Sequence, residues 1–272
     1  MIDIKSISFK YAGQKRLVFE NFSLQLEANR IYGLLGKNGT GKSTLLYLIA
    51  GLLRPGKGTA SCDGIATWQR QAETLQEIFL VPEEYDLPSM SLKKYVSLME
   101  GFYPRFSHDV LERCLNDFEL STDLHLKALS MGQKKKVYMC VALAAQTRYL
   151  LMDEPTNGLD IPSKSQFRKV VAENMSDDRT LIISTHQVHD VEALLDHIMI
   201  LSEQALLLNA STADLTERYA FELRPPQEMD GSVIYAEPSL QGNIAMVRRM
   251  PDMPETQVNL ELLFNAVTKQ KI

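Results

Sequence analysis

The chain opens on alternation. Ile2, Ile4, Ile7 and Phe9, then Phe22, Leu24 and Leu26, keep near period-two spacing around Gly13-Gln14, which predicts two strands joined by a turn. A continuous apolar run, Ile31–Leu35, predicts a buried strand leading into a glycine-rich stretch. Beyond it Leu45, Leu46, Leu48, Ile49 and Leu52 form one face of a helix that Arg54-Pro55-Gly56 should end. Gly58–Asp63 and Ile78–Val81 are further strands. From about Glu84 to Val141 the spacing turns helical, punctuated by Pro88, Pro104 and Ser121. Strand character returns at Tyr149–Met152 and Leu181–Ser184, around a helix started by Asp160 as cap and Pro162 in its first turn. Such alternation predicts an α/β fold with a mainly parallel sheet, an N-terminal antiparallel β subdomain and an inserted helical subdomain over about 84–141. After Ser202 the pattern breaks into short mixed segments around Arg224-Pro225-Pro226, Pro251 and Pro254, then ends on a helical Asn259–Val267. Residues 1–202 therefore read as the main domain and 203–272 as a small C-terminal accessory unit.

Composition changes this picture little. With 272 residues, 45% of them apolar, the chain can bury one large core with subdomains, and two independent enzymes are not expected. The net charge of −5 gives no global basic field for nonspecific nucleic-acid binding. Cys62, Cys114 and Cys140 are too far apart for a CxxC redox pair or metal-ligand spacing and read as reduced core thiols. The start, MIDIKSISFK, reads as a strand and not as a secretory signal, which disfavours export of the chain. Its longest apolar runs, Leu45–Leu53 and Val137–Ala145, fall well short of the ~18 residues of a membrane span. If the protein works at a membrane, another chain must cross it.

The chemistry begins at Gly36–Ser43, which matches GxxxxGK[ST] between a strand and a helix. Gly36, Gly39 and Gly41, with Asn38 between them, allow backbone amides to turn inward around phosphate oxygens, and the following helix adds its positive end. Lys42 would bridge the β- and γ-phosphates, Ser43 would place its hydroxyl on Mg²⁺, and Thr44 would make a second phosphate contact. This makes the fold a P-loop NTPase but leaves GTPases, nucleotide kinases, helicases and transport ATPases open. Tyr149–Met152 then ends in Asp153-Glu154. Asp153 at the carboxyl edge of the sheet would hold Mg²⁺ through water, and Glu154 would polarise an attacking water.

Between these motifs lies Leu129-Ser130-Met131-Gly132-Gln133, twenty residues before Asp153. Taken alone it is a helix start capped by Ser130. In this order it makes the chain resemble the ATP-binding cassette family, whose motif reads LSGGQ. The resemblance covers about residues 1–202. It implies that Ser130, Gly132 and Gln133 serve the γ-phosphate of ATP on an opposite subunit, Ser130 and Gly132 as contacts aided by the following helix dipole. It implies that Tyr11 stacks on adenine, where a strand tyrosine otherwise packs. Asn157-Gly158-Leu159-Asp160 resembles the loop joining the two sites, although Asp160 can equally cap a helix. Ile183-Ser184-Thr185-His186 resembles the strand end whose histidine bonds the γ-phosphate and orients the water of Glu154; the other four histidines read as surface or structural residues. Two positions depart from the family. Met131 replaces a glycine, and Glu83 stands where the family has Gln after Val81-Pro82. Glu83 can still ligate Mg²⁺ through oxygen or can point to solvent as a loop residue, but it cannot donate an amide hydrogen bond.

The resemblance implies an ATP-hydrolysing subunit at the cytoplasmic face of a membrane, held there by separate permease subunits and sandwiching ATP with a second ATPase subunit, in a homo- or heterodimer. The alternative is a soluble relative acting on ribosomes or nucleic acid. The run Lys134-Lys135-Lys136 is the one feature that tempts that reading, and it is better taken as an exposed helix start facing phosphates or solvent. Asn259-Leu260-Glu261-Leu262-Leu263-Phe264 is similar to a C-terminal helix of cassettes serving exporters, or is an amphipathic helix covering core. Tyr85, Leu87, Met90 and Tyr95 offer either a permease dock or internal packing.

Overall fold

The computed structural model describes residues 1–203 and 205–272. Strands β1 (Ile2–Phe9) and β2 (Phe19–Leu26) pair antiparallel. The chain then leaves for β3 (Ile31–Leu35) and helix α1 (Lys42–Ile49) before β4 (Lys57–Cys62) and β5 (Ile65–Ala66) return, completing a sheet in the order β2-β1-β4-β5. The step of three between Ile4 and Ile7 has a structural cause. Register shifts there and Ser6 takes φ 48°, a bulge that returns Ile7 to the buried face. Helix α1 stops earlier than its apolar pattern predicts. Gly51 turns into the left-handed region at φ 68°, where a Cβ would meet the Thr67 carbonyl oxygen at 2.2 Å, and Leu52 is left exposed.

A short α2 (Ala72–Leu75) precedes β6 (Ile78–Val81). The helical block follows as α3 (Leu92–Glu100), α4 (His108–Asp117) and α5 (Met131–Ala144), capped by the side chains of Ser91, Ser107 and Ser130. Then come β7 (Tyr149–Asp153), α6 (Ile161–Glu173), β8 (Thr180–Thr185), β9 (His197–Ser202) and β10 (Ala205–Ser211). The central sheet runs β10-β9-β3-β8-β7-β6, parallel except for β10, which pairs antiparallel with β9. The boundary expected after Ser202 falls inside this hairpin, because β10 pairs with β9 of the central sheet. Beyond β10 lie α7 (Thr212–Arg218), the antiparallel strands β11 (Tyr219–Arg224), β12 (Val233–Ser239) and β13 (Gly242–Arg248), and α8 (Leu260–Thr268).

Strand alternation splits the core between the two faces of the central sheet. Tyr32 and Leu34 of β3, with Tyr149 and Leu151 of β7, face the N-terminal sheet and α1. Ile31, Leu35, Leu150 and Met152 face the helical block, α6 and α8. Among the described residues no helix is long and apolar enough to cross a membrane.

Candidate nucleotide site

Strand β3 lies between β8 and β9, so the glycine loop leaves the carboxyl edge of the sheet at its centre, where open α/β sheets bind ligands. Gly41 caps α1 at φ 104°, and a Cβ there would lie 2.9 Å from Val18 and Phe19. At Gly36 a Cβ would lie 2.6 Å from Thr40 Oγ1 and 2.7 Å from the Leu201 carbonyl. Asn38 and Gly39 are exposed at the loop's crest and Ser43 is half-buried in the first turn of α1. The Lys42 ammonium is buried. It donates to the carbonyls of Gly36 at 2.8 Å and Lys37 at 3.4 Å, and lies 3.6 Å from Glu154 Oε1. Thr44 Oγ1 shares a hydrogen bond of 3.0 Å with the Tyr11 hydroxyl, whose ring sits edge-on to Phe9.

The acidic pair is set by register. Asp153 lies opposite Ser184 in the β7–β8 ladder, and the Ser184 hydroxyl donates to buried Asp153 Oδ1. The next residue, Glu154, takes φ 47°, an uncommon backbone state for a side chain of this kind, and its amide donates to the Ser184 carbonyl at 3.0 Å. Its carboxylate is bonded at both oxygens. Oε1 lies 2.8 Å from His186 Nδ1, while Oε2 accepts from Thr185 Oγ1 at 3.1 Å and from the His186 amide at 3.4 Å. With Nδ1 turned to Glu154, His186 has Nε2 left for a ligand.

The structure thus brings Lys42, Glu154 and His186 into contact beside Asp153. A cleft of about 610 Å³ opens there, lined by Gly36, Lys37, Asn38 and His186. Its far wall is Glu261, Phe264 and Asn265 of α8. That wall was not expected from the sequence, because the contact joins residues more than seventy positions apart; Glu261 Oε2 lies 2.9 Å from His189 Nε2, just past β8. These residues fit a magnesium nucleoside triphosphate. The loop excludes side chains where amides must meet oxygen, Lys42 is bonded to carbonyls that phosphate oxygens can replace, and Ser43 and Asp153 are hard oxygen donors.

The residues of the Leu129–Gln133 motif, the signature, lie elsewhere. Ser130 Oγ accepts from the Gln133 amide at 3.3 Å and the Ser130 amide donates to Gln133 Oε1 at 3.0 Å, a reciprocal cap that spends the Gln133 side chain within α5. Met131 is 75% exposed and the space beside Gly132 is open. Asp160 caps α6 through the Ser163 amide at 2.9 Å, and its bonds to Ser163 hold its carboxyl below the usual range. A second crevice of about 220 Å³ is lined by Glu83, Met131, Gly132, Lys135 and Asn157, none of which lines the first cleft. None of Ser130, Gly132, Gln133 and Asp160 lines the first cleft. Glu83 is exposed to this crevice, and its Oε1 accepts from Asn157 Nδ2 at 3.0 Å.

One expectation needs correcting. The basic run is not uniformly exposed: Lys135 is buried and donates to the carbonyls of Glu154 at 3.1 Å and Asn157 at 2.8 Å. Burial pulls its pKa down, and the negative charges of Glu83, then Glu154 and Asp153, act against that. The signal was available, since Lys135, Met139 and Ala142 follow i, i+4, i+7 spacing and all three face inward. Tyr85, Leu87, Met90 and Tyr95 take the packing alternative: Leu87 is in the core, the others pack against it, and Tyr85 stacks on Tyr138 at 4.4 Å.

Comparison with known proteins agrees with this geometry. A model of the family described as "ABC transporter" matches residues 19–157, just over half of the chain. The ABC transporter ATP-binding protein YtrB of Bacillus subtilis is 28% identical over 223 residues, covering 80% of this chain and 75% of its own. The methionine import ATP-binding protein MetN of Carboxydothermus hydrogenoformans is 30% identical over 229 residues, covering 79% and 67%. A solved structure titled as the ATP-binding subunit of an ABC transporter superposes with a TM-score of 0.70 at 25% identity, covering 79% of this chain and 91% of that one. The family match spans the phosphate loop, the signature and the acidic pair in one run, and the chain belongs to the ABC transporter family, as an ATP-binding subunit with that family's ATPase fold.

Proposed function

We propose that this chain is a Mg²⁺-dependent ATPase that drives transport through separate permease subunits at the cytoplasmic face of a membrane, working as a dimer that sandwiches two ATP molecules. The observation that carries this reading is the separation of the two half-sites. Lys42, Glu154 and His186 meet beside one cleft, whereas Met131 and Gly132, at the start of α5, line another. A second subunit, identical or different, would complete each site.

In this reading the loop amides of Gly36–Thr44 and the Lys42 ammonium bind the β- and γ-phosphates, and the Tyr11 ring lies under adenine while its hydroxyl steadies Thr44. Ser43 and Asp153 would hold Mg²⁺, with Glu83 as a third oxygen donor; the ion supplies charge neutralisation at the phosphates. Glu154 accepts the proton of the attacking water, and His186 orients Glu154 through Nδ1 while Nε2 faces the γ-phosphate. Asp160 sits on the loop facing the partner. The similarity of Leu260–Phe264 to an exporter-associated helix favours export, and residues beyond Ser211 form the accessory region. Nothing in the basic run supports action on nucleic acid, since Lys135 is spent inside the protein. The test is the oligomeric state of Glu154→Gln by light scattering, alone and with the permease chains. Mg-ATP should convert monomer to dimer, and a protein that stays monomeric with ATP bound at high concentration would overturn the sandwich.

A further inference from the structure

We infer that Lys135 is a positioning residue for ATP hydrolysis and that Glu83 is the carboxylate matched to its buried charge. The two groups that Lys135 Nζ touches, the carbonyls of Glu154 and Asn157, begin and end the segment that carries the general base and starts the loop facing the second subunit. A single ammonium on α5 therefore fixes the backbone of Glu154, although its own helix begins at the signature. A rotation of α5 would be passed directly to that backbone.

Carbonyls satisfy the hydrogen bonds of an ammonium but not its charge, and a buried cation without an anion is costly. Glu154 and Asp153 act on it from the end of β7, and Glu83 lies across the crevice. Glu83 lines the same space as Lys135, and both grip Asn157: Lys135 its carbonyl at 2.8 Å, Glu83 its side-chain amide at 3.0 Å. The hydrogen bond from Asn157 does not require a carboxylate, because a Gln carbonyl would accept it equally well. The charge of Lys135 does call for one. This accounts for Glu at a position where the family that this chain resembles has Gln: here the residue faces a buried lysine.

The inference rests on Glu154 being the general base, and one set of variants keeps the two ideas apart. Steady-state phosphate release at saturating Mg-ATP and equilibrium ATP affinity would be measured on the full chain for wild type, Lys135→Gln, Lys135→Arg, Glu83→Gln, the double Glu83→Gln/Lys135→Gln, and Glu154→Gln. Each single neutralisation should lower kcat by about tenfold or more with affinity changed less than about threefold, since each leaves one charge without its counterpart. The double variant, neutral on both sides and able to keep the bond to Asn157, should be more active than either single by about fivefold. Lys135→Arg, which keeps charge and donors, should stay within about threefold of wild type. Multiplicative losses in the double variant would overturn the charge pairing, as would a Glu83→Gln enzyme with wild-type kcat. A Lys135→Gln loss seen wholly as weaker ATP affinity, without rescue by Lys135→Arg, would overturn the positioning role. If Lys135→Gln does not fold, recovery of a folded, active protein in the double variant carries the same support, and an unfolded double counts against it. An active Glu154→Gln enzyme would instead defeat the general-base reading, whatever Lys135 does.

Discussion

Replacing Glu154 by Gln perturbs three contacts at once, and the structure fixes the sign of each. The amide oxygen can still accept from His186 Nδ1, which now meets Oε1 at 2.8 Å, so the histidine should keep its place. The amide nitrogen cannot accept from the Thr185 hydroxyl or the His186 amide, which Oε2 now does at 3.1 and 3.4 Å. Lys42, 3.6 Å from Oε1, loses its ion-pair partner in a buried site. At that separation the charge–charge attraction is about 4–5 kcal/mol with an effective dielectric near 20, most of it offset by desolvation. The ligand-free protein should therefore lose about 1–3 kcal/mol of stability. ATP phosphates resupply the missing negative charge, so affinity should be unchanged or up to about tenfold tighter, while loss of the base lowers kcat by about 10²–10⁴. Phosphate release, equilibrium ATP titration and thermal unfolding with and without Mg-ATP test all three. The expected pattern is a less stable free protein, a larger stabilisation by Mg-ATP than in wild type, and a strongly reduced kcat. A variant that retains a third of wild-type turnover, or that loses affinity and kcat in parallel, would refute the assignment of Glu154 as the base.

Lys42→Ala and Asp153→Asn should each abolish turnover and weaken Mg-ATP binding, because the first removes a positive charge at the phosphates and the second weakens the hold on the metal that neutralises them; equilibrium titration showing wild-type affinity in both would count against the site. Gly41→Ala should cost about 1–3 kcal/mol and suppress ATP binding, since φ 104° and the 2.9 Å approach to Phe19 leave no room for a side chain; chemical denaturation measures it. For Glu83→Gln, the gap between metal-free and Mg-bound ATP affinity should narrow, and an identical metal dependence would remove Glu83 from the metal's surroundings. His197 supplies a pH test. Its Nε2 faces Asn209 Oδ1 at 2.7 Å, its Nδ1 is buried without a partner among the described residues, and burial holds its pKa below 6.5. The folded state thus binds fewer protons than the unfolded one, so this contribution is complete above pH 6.5 and is lost as the pH falls below it. Thermal unfolding from pH 8 to pH 5 should show His197→Asn flattening that decline.

How much of this was legible in the sequence differs by element. The run Ile31–Leu35, the glycine loop and Asp153-Glu154 carry their own conformational instructions: an apolar strand must be buried, glycines must take the backbone states and close approaches that side chains forbid, and an acidic pair ends its strand at the sheet edge. The core faces of β1, β2, β3 and β7 follow in the same way from period-two alternation, and even the bulge at Ser6 was visible as a step of three. The C-terminal strands were not legible, because β12 is half-exposed or exposed throughout and β13 buries Ala245, Met246 and Val247 in succession, so neither alternates; β10 could not be assigned to the main sheet because its run Leu206–Leu208 hides the alternation it adopts. The partner of each polar group was likewise a tertiary decision. Glu83 has Asn157, Lys135 has the backbone of Glu154 and Asn157, and His189 has Glu261, pairs separated by 74, 19, 22 and 72 residues. Local propensity and periodicity act over a few residues, so they determine which residues turn inward and which glycines bend. Which charge then meets which carbonyl depends on how β6, α5 and the end of β7 converge at one edge of the central sheet. Only the folded chain brings those ends together.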